Sequence, residues 1–157
     1  DRADVDHTLS VNVTGTLLTC KHAVPHLRES DRASIVNISS ISGKRPLPER
    51  SPYTASKMAV MGLTRTLAVE LGDDDITVNA ICPGATNGDR MERTLEKAAA
   101  EQGITVEEAR RQFTSDAALG RFVDPEDTAN MVVYLASEKG ANVTAQDISV
   151  DAGTTWY

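Results

Sequence analysis

Tyr53 and Lys57 stand four positions apart, and Ser40 precedes Tyr53 by thirteen residues. On a helix, residues i and i+4 share one face with Cβ atoms about 6 Å apart, so the Lys57 ammonium can act on the Tyr53 phenol. A free phenol titrates near about pH 10 and exchanges protons poorly in neutral water, but a fixed positive charge beside it stabilises the phenolate. The pair is therefore suited to moving a proton at neutral pH.

Such a pair needs a helix, and Ser40 needs a fixed position against it. The stretch from Ala33 to Ser40 reads as a short apolar strand around Ile35, Val36 and Ile38, ending in hydroxyls and then Gly43 and Pro46. Ser40 then lies at the carboxyl end of a strand, the edge at which ligands bind in open α/β sheets. A helix from about Pro52 to Leu71, with Ser51 as its cap and Pro52 in its first turn, carries Tyr53 and Lys57 back over that edge. Upstream, Leu9, Val13, Leu17, Cys20, Val24 and Leu27 have helical spacing between Val5 and Leu27, with Pro25 marking the last turn or a kink. Downstream come a strand from Ile76 to Ile81, a helix from Pro125 to Ala136 capped by Asp124, and a strand from Asp147 to Asp151. Strand, helix and strand in one sheet imply a right-handed parallel crossover.

Between Gly84 and Phe122 lies a long polar interval, with helical pieces near Asp89 to Glu101 and Val106 to Phe113. Excursions of this length at the ligand edge of a sheet commonly cover a site. Arg90, Arg93, Arg110 and Arg111 there suit an anionic substrate, but their alternation with Glu92, Glu96, Glu107 and Glu108 favours salt-bridged helix faces.

Five ordered segments carry a family resemblance: Val11-Asn12-Val13-Thr14-Gly15, Asn37-Ile38-Ser39-Ser40, Tyr53-x-x-x-Lys57, Val78-Asn79-Ala80-Ile81-Cys82-Pro83-Gly84 and Val150-Asp151-Ala152-Gly153. Together they resemble the short-chain dehydrogenase/reductase family. The resemblance implies an α/β fold with a Rossmann-type doubly wound parallel sheet. It also implies an NAD(P)-dependent oxidoreductase that interconverts a secondary alcohol and a carbonyl. Tyr53 would exchange the proton with the substrate oxygen, Ser40 would hydrogen-bond that oxygen, Lys57 would act on the tyrosine and hold the ribose hydroxyls, and Asn12 would keep a water in the relay behind Lys57. Pro83, Gly84, Ala85 and Thr86, together with Tyr53 and Lys57, would meet the NAD or NADP cofactor, and the interval 84–122 would be the substrate lid. Many relatives have threonine where Gly88 stands, and Thr86 either replaces it or caps the lid. A small hydroxy or oxo substrate, such as a sugar, polyol or cyclic alcohol, is slightly favoured.

The Gly-rich phosphate turn that opens members of the family has no counterpart here. The expectation is a partial single domain over residues 1–157, the catalytic, carboxyl-terminal part of a longer enzyme. The rival reading is a noncatalytic truncated subunit that associates but cannot bind a dinucleotide. A short-chain-type epimerase or dehydratase is a third, disfavoured because those relatives have larger substrate domains.

Composition bounds these readings. A chain of 157 residues with 40% hydrophobic and 25% charged residues can bury a core of its own. A net charge of −7 argues against nonspecific nucleic-acid binding, and no apolar run reaches the roughly 20 residues of a membrane span. Five lysines stand against thirteen aspartates, including Asp73-Asp74-Asp75, an excess that either high salt or an ordinary solvated aspartate turn accounts for. Two cysteines, Cys20 and Cys82, fall on buried elements, which suits a reducing cytoplasm. His7, His22 and His26 with Cys20 have superficial metal-ligand spacing but lack a suitable fourth ligand, so no metal is expected. Apolar residues on the helix after Tyr53 exceed what one sheet can cover: Val60, Leu63, Leu67 and Leu71 make one face, with Met58, Met61 and Val69 elsewhere. A homodimer or homotetramer through the helices bearing Asn12 and Tyr53 is expected.

Overall fold

A computed structural model describes residues 1–45 and 47–156; Pro46, read above as part of the turn after Ser40, lies outside the described residues. Helix α1 (Arg2–Leu9) is capped by the Asp1 carboxylate, which accepts the Asp4 amide at 3.0 Å. It passes through a π-turn (Ser10–Thr14) into α2 (Gly15–Leu27), whose Pro25 sits in the last turn as expected. Strand β1 (Ala33–Ile38), helix α3 (Ser51–Glu70) and strand β2 (Ile76–Pro83) follow. Then come α4 (Asp89–Gln102), α5 (Val106–Thr114), α6 (Pro125–Ala136) and β3 (Asp147–Val150). The three strands form one parallel sheet in the order β1-β2-β3, with Ile35 opposite Val78 and Ile81 opposite Ile148.

Alternation along the strands divides the packing. Ala33 and Ile35 of β1 and Ile76 and Val78 of β2 meet Cys20 of α2 and Ala68 of α3, with Leu71 beyond them, in the main core. The intervening Ser34 bonds the Leu135 carbonyl at 3.4 Å, so α6 covers the other face. Two buried asparagines brace the sheet. Asn37 donates from Nδ2 to Thr64 Oγ1 at 3.0 Å and accepts from Cys20 Sγ, tying β1 to α3 and α2. Asn79, fully buried, donates to the Val143 carbonyl at 2.7 Å and accepts from the Gln146 amide at 3.1 Å, which sets the approach to β3. Both thiols are free and buried, and burial pushes each above the ordinary thiol range.

Three local expectations are corrected. The α3 cap is Arg50 rather than Ser51, which is the first helical residue, and no side chain caps the helix. Met61 belongs inside: it is 6% exposed, with its sulfur 3.7 Å from Cys82 Sγ, whereas Met58 and Val69 are 55% and 82% exposed. The β1 strand also stops at Ile38, so Ser39 and Ser40 form the exit from it. The aspartate turn is solvated as read, with Asp74 paired to Arg28 at 2.8 Å and Asp75 in a left-handed conformation that turns the chain into β2.

The 84–122 excursion has a small core of its own, in which Leu95, Ala99, Ala109 and Phe122 are buried together. The Arg110 guanidinium lies 5.4 Å from the Phe122 ring centroid and pairs with Glu92 at 2.5 Å, as the alternating charges imply. Its base is closed by a parallel bridge between Thr86 and Val123, with Val123 N–H donating to the Ala85 carbonyl at 3.0 Å. No helix among the described residues is long and apolar enough to cross a membrane, and none of their His, Cys, Asp or Glu groups forms a metal-binding cluster.

Asp147 opens β3 facing Lys44 and Arg65, with Cys82 nearby. Burial raises its carboxyl, but hydrogen bonds and charge from Arg65 and Lys44 outweigh that and hold it below the usual carboxylate range. A folded-state value below the unfolded one adds stability that is present above the unfolded value and is lost as pH falls through the folded one. Melting temperature followed from about pH 7 down to about pH 3 should therefore fall more steeply in the parent than in Asp147→Asn. Parallel curves would contradict this.

Candidate active site

The carboxyl ends of β1 and β2 gather the residues singled out above. Ser40 leaves β1 in extended conformation, and its Oγ accepts the Ser42 amide at 3.1 Å, opening the 3-10 turn Ile41–Gly43. That turn lies hard against α3 because Gly43 lacks a side chain. A Cβ there would come within 2.9 Å of Met61 Cε and 3.2 Å of the Lys57 carbonyl carbon and the Met58 nitrogen. Ser39 completes the junction, donating its hydroxyl to the Lys57 carbonyl at 2.8 Å and its amide to the Ile81 carbonyl at 2.7 Å.

Tyr53 and Lys57 occupy one face of α3, both half-buried. The Lys57 ammonium donates to the Ile38 carbonyl at 3.1 Å and lies 5.7 Å from the Tyr53 ring centroid. A cation held by a main-chain carbonyl, rather than by a carboxylate, keeps its charge available to the phenol and to any ligand above it.

Asn12 reaches the same helix from the other side. It sits within the π-turn, whose wide i→i+5 bond runs from the Gly15 amide to the Ser10 carbonyl. Its Nδ2 donates to Ser56 Oγ at 3.0 Å, and Ser56 Oγ donates onward to the Tyr53 carbonyl at 2.7 Å. The fully buried Ser56 is the joint between Asn12 and the tyrosine's backbone. Its position inside Tyr53-x-x-Ser56-Lys57 was visible in the sequence, but nothing local distinguishes it from a solvent-facing helical serine.

Pro83, Gly84, Ala85 and Thr86 continue β2 as a half-buried segment beside the β3 exit. The Gly84 amide donates to the Val150 carbonyl at 2.9 Å, and Thr86 Oγ1 donates to the Gly84 carbonyl at 3.1 Å. Gly88 has φ of +142°, a conformation threonine adopts only with strain, which accounts for glycine at this helix start. Beyond β3, the buried Asp151 carboxylate accepts from the Gly153 amide and from both the amide and hydroxyl of Thr155, so the Val150-Asp151-Ala152-Gly153 segment is a self-capped turn.

Comparison of the sequence and of the fold with known proteins places the chain. A family model described as Enoyl-(Acyl carrier protein) reductase matches residues 1–155. The chain belongs to the short-chain dehydrogenase/reductase family. Among its relatives, D-beta-hydroxybutyrate dehydrogenase of Rhizobium meliloti (strain 1021) is 32% identical over 96% of this chain and 58% of its own length. Sorbitol-6-phosphate 2-dehydrogenase SrlD from Erwinia amylovora superposes with a TM-score of 0.91 at 31% identity, covering 100% of this chain and 62% of that one. L-sorbose reductase from Gluconobacter frateurii, solved with NADPH and L-sorbose, superposes at 0.93 with 25% identity over 100% of this chain and 60% of that one. This short-chain dehydrogenase/reductase chain thus spans about three-fifths of the length of the relatives it matches.

Proposed function

We propose that the protein of which this chain forms the catalytic part is an NAD(P)-dependent oxidoreductase interconverting a secondary alcohol and a carbonyl. The carrying observation is the Lys57 ammonium, pinned 3.1 Å from the Ile38 carbonyl and 5.7 Å from the Tyr53 ring, at the carboxyl edge of the sheet. In the reductive direction the Tyr53 hydroxyl gives its proton to the carbonyl oxygen, and in the oxidative direction it takes the proton of the alcohol. Ser40 Oγ bonds that oxygen as its charge grows. Lys57 stabilises the phenolate left on Tyr53, and its remaining N–H donors suit ribose hydroxyls. Asn12 holds the tyrosine's segment through Ser56 and orders water behind Lys57. The nicotinamide, when bound, supplies or accepts the hydride. A place for such a group is supported by Pro83, Gly84, Ala85 and Thr86, half-buried at the end of β2, whose neighbour β1 supplies the carbonyl that holds Lys57.

Residues 84–122 act as the substrate lid, which their location beyond the end of β2 and their separate core support. A small hydroxy or oxo substrate of the polyol or sugar kind is supported by the two sugar-related structural neighbours. Association as a homodimer or homotetramer through the helices bearing Asn12 and Tyr53 is supported by their exposed apolar residues, Val11, Leu17, Leu18, Met58 and Val69. A cytoplasmic setting is supported by the free, buried thiols.

Titration of the full-length protein with NADH and NADPH, followed by fluorescence, should reveal saturable binding of at least one. Turnover should then appear on a panel of polyols, sugars and hydroxy acids. Absence of both would favour the truncated, noncatalytic subunit.

A further inference from the structure

The turn that opens at Ser40 ends in a largely covered ionic contact with the far edge of the sheet. Within the turn, the Gly43 amide donates to the Ser40 carbonyl at 3.0 Å, and the Lys44 and Arg45 amides donate to the Ile41 carbonyl at 2.9 and 2.7 Å. From Ser40 to Arg45 the backbone is therefore one hydrogen-bonded unit. Its near end is tied to α3 by the Ser39 hydroxyl, as described above. At its far end, Lys44 Nζ donates to the Asp147 carbonyl at 2.6 Å and lies 3.2 Å from Asp147 Oδ2. Asp147 Oδ1 accepts from Arg65 through Nε at 3.1 Å and through Nη2. Arg65 lies eight residues beyond Lys57, two turns along the same helix.

We propose that Asp147 is a positioning residue for Ser40, coupling the serine turn through Lys44, and helix α3 through Arg65, to strand β3. The contact closes a ring. One link, Ser39 to the Lys57 carbonyl, joins the turn to α3 beside the site. The other, Lys44 to Asp147 to Arg65, joins the same turn to the same helix by way of the edge strand. With both links made, Ser40 cannot slide along α3 relative to Tyr53.

Exposure distinguishes this from an ordinary surface pair. The Lys44 and Asp147 side chains are only 11% and 16% exposed, and removing either partner leaves a charge in a poorly solvated place. Exposed pairs such as Lys97 with Glu101, 77% and 65% exposed, carry no such penalty and hold nothing in place. Displacement of a reacting group by about 1 Å can cost about 10²-fold in rate, so a turn secured at both ends is a means of preserving rate rather than binding.

This inference rests on the oxidoreductase reading for its kinetic consequence, but not for its mechanical one. In the full-length protein, amide hydrogen exchange of Asp147→Asn and Lys44→Met should be compared with the parent. Exchange at Ser42 and Gly43 should rise about tenfold or more beyond any rise shared by amides in the middle of α3 and in β1. In the same variants kcat should fall about tenfold, with KM for the dinucleotide unchanged, and Asp147→Glu should recover most of both. Unchanged exchange at Ser42 and Gly43 would overturn the proposal, as would a rise there no larger than that across the whole protein, because that would mark a general loss of stability alone. If the parent turns over no substrate, the oxidoreductase reading fails, and the exchange pattern alone still decides whether Asp147 holds the turn.

Discussion

Replacing Tyr53 by Phe in the full-length protein should lower turnover by about 10²–10⁴-fold, the usual contribution of a positioned acid or base, while dinucleotide affinity stays close to parental. The expectation follows from how little of Tyr53's surroundings depends on its hydroxyl. Its backbone carbonyl accepts from Ser56, and its ring faces the Lys57 ammonium at 5.7 Å. Phenylalanine preserves both the main-chain bond and a ring against the cation. Lys57 keeps its own anchor on the Ile38 carbonyl. The substitution therefore removes one exchangeable proton and leaves the geometry. Steady-state kinetics alongside a binding titration separate the two quantities. Near-normal turnover in this variant would overturn the proposed mechanism.

Gly84→Ala should lower stability markedly. Its Cβ would fall 2.8 Å from both Asp151 Cα and Cβ, and 3.3 Å from the Asp151 carbonyl oxygen. Asp151 cannot yield cheaply, because its carboxylate is bonded to Gly153 and to Thr155 twice, and the Gly84 amide is itself held by Val150. The ends of β2 and β3 must instead separate. A loss of about 1–3 kcal/mol is expected from overpacking of this kind, read from denaturant midpoints. Dinucleotide affinity should weaken with it, since Pro83 to Thr86 would shift as a unit. Gly62→Ala is the control. Gly62 lies within α3 with open space around it, and alanine there should stabilise by about 0.4–1 kcal/mol. Equal behaviour of the two variants would show that the close approach to Asp151 is of no consequence.

Much of the molecule was legible from residues alone, for reasons that are local. Helix α6 begins where Asp124 and Pro125 place it: Asp124 is the cap residue, its amide is taken by the Asp127 carboxylate at 2.9 Å, and Pro125 fits the first turn, where no amide partner is needed. The two helices of the 84–122 excursion start and stop within a residue or so of the expected limits. Tyr53 and Lys57 share a face because helical period leaves them no alternative, and Ser40 lies at the carboxyl edge because an apolar run of strand length ends just before it. Even the one misplaced cap, Arg50 for Ser51, is an error of a single position within the same turn.

What folding alone decided are the partners that lie far apart in the chain. Asn12 finds Ser56 across 44 positions, and Lys44 finds Asp147 across 103. Met61 lies off the Val60, Leu63, Leu67 and Leu71 stripe, yet Gly43 opens a space into which it packs beside Cys82. Short-range sterics and hydrogen bonds set an element's type and ends, and each residue carries that information with its neighbours. Which side chain meets which depends instead on how a strand, a turn and a helix come to rest against one another. Tyrosine, lysine and serine were thus readable as chemistry in the sequence, whereas the carbonyl that holds the lysine and the carboxylate that holds the serine's turn exist only once the sheet has formed.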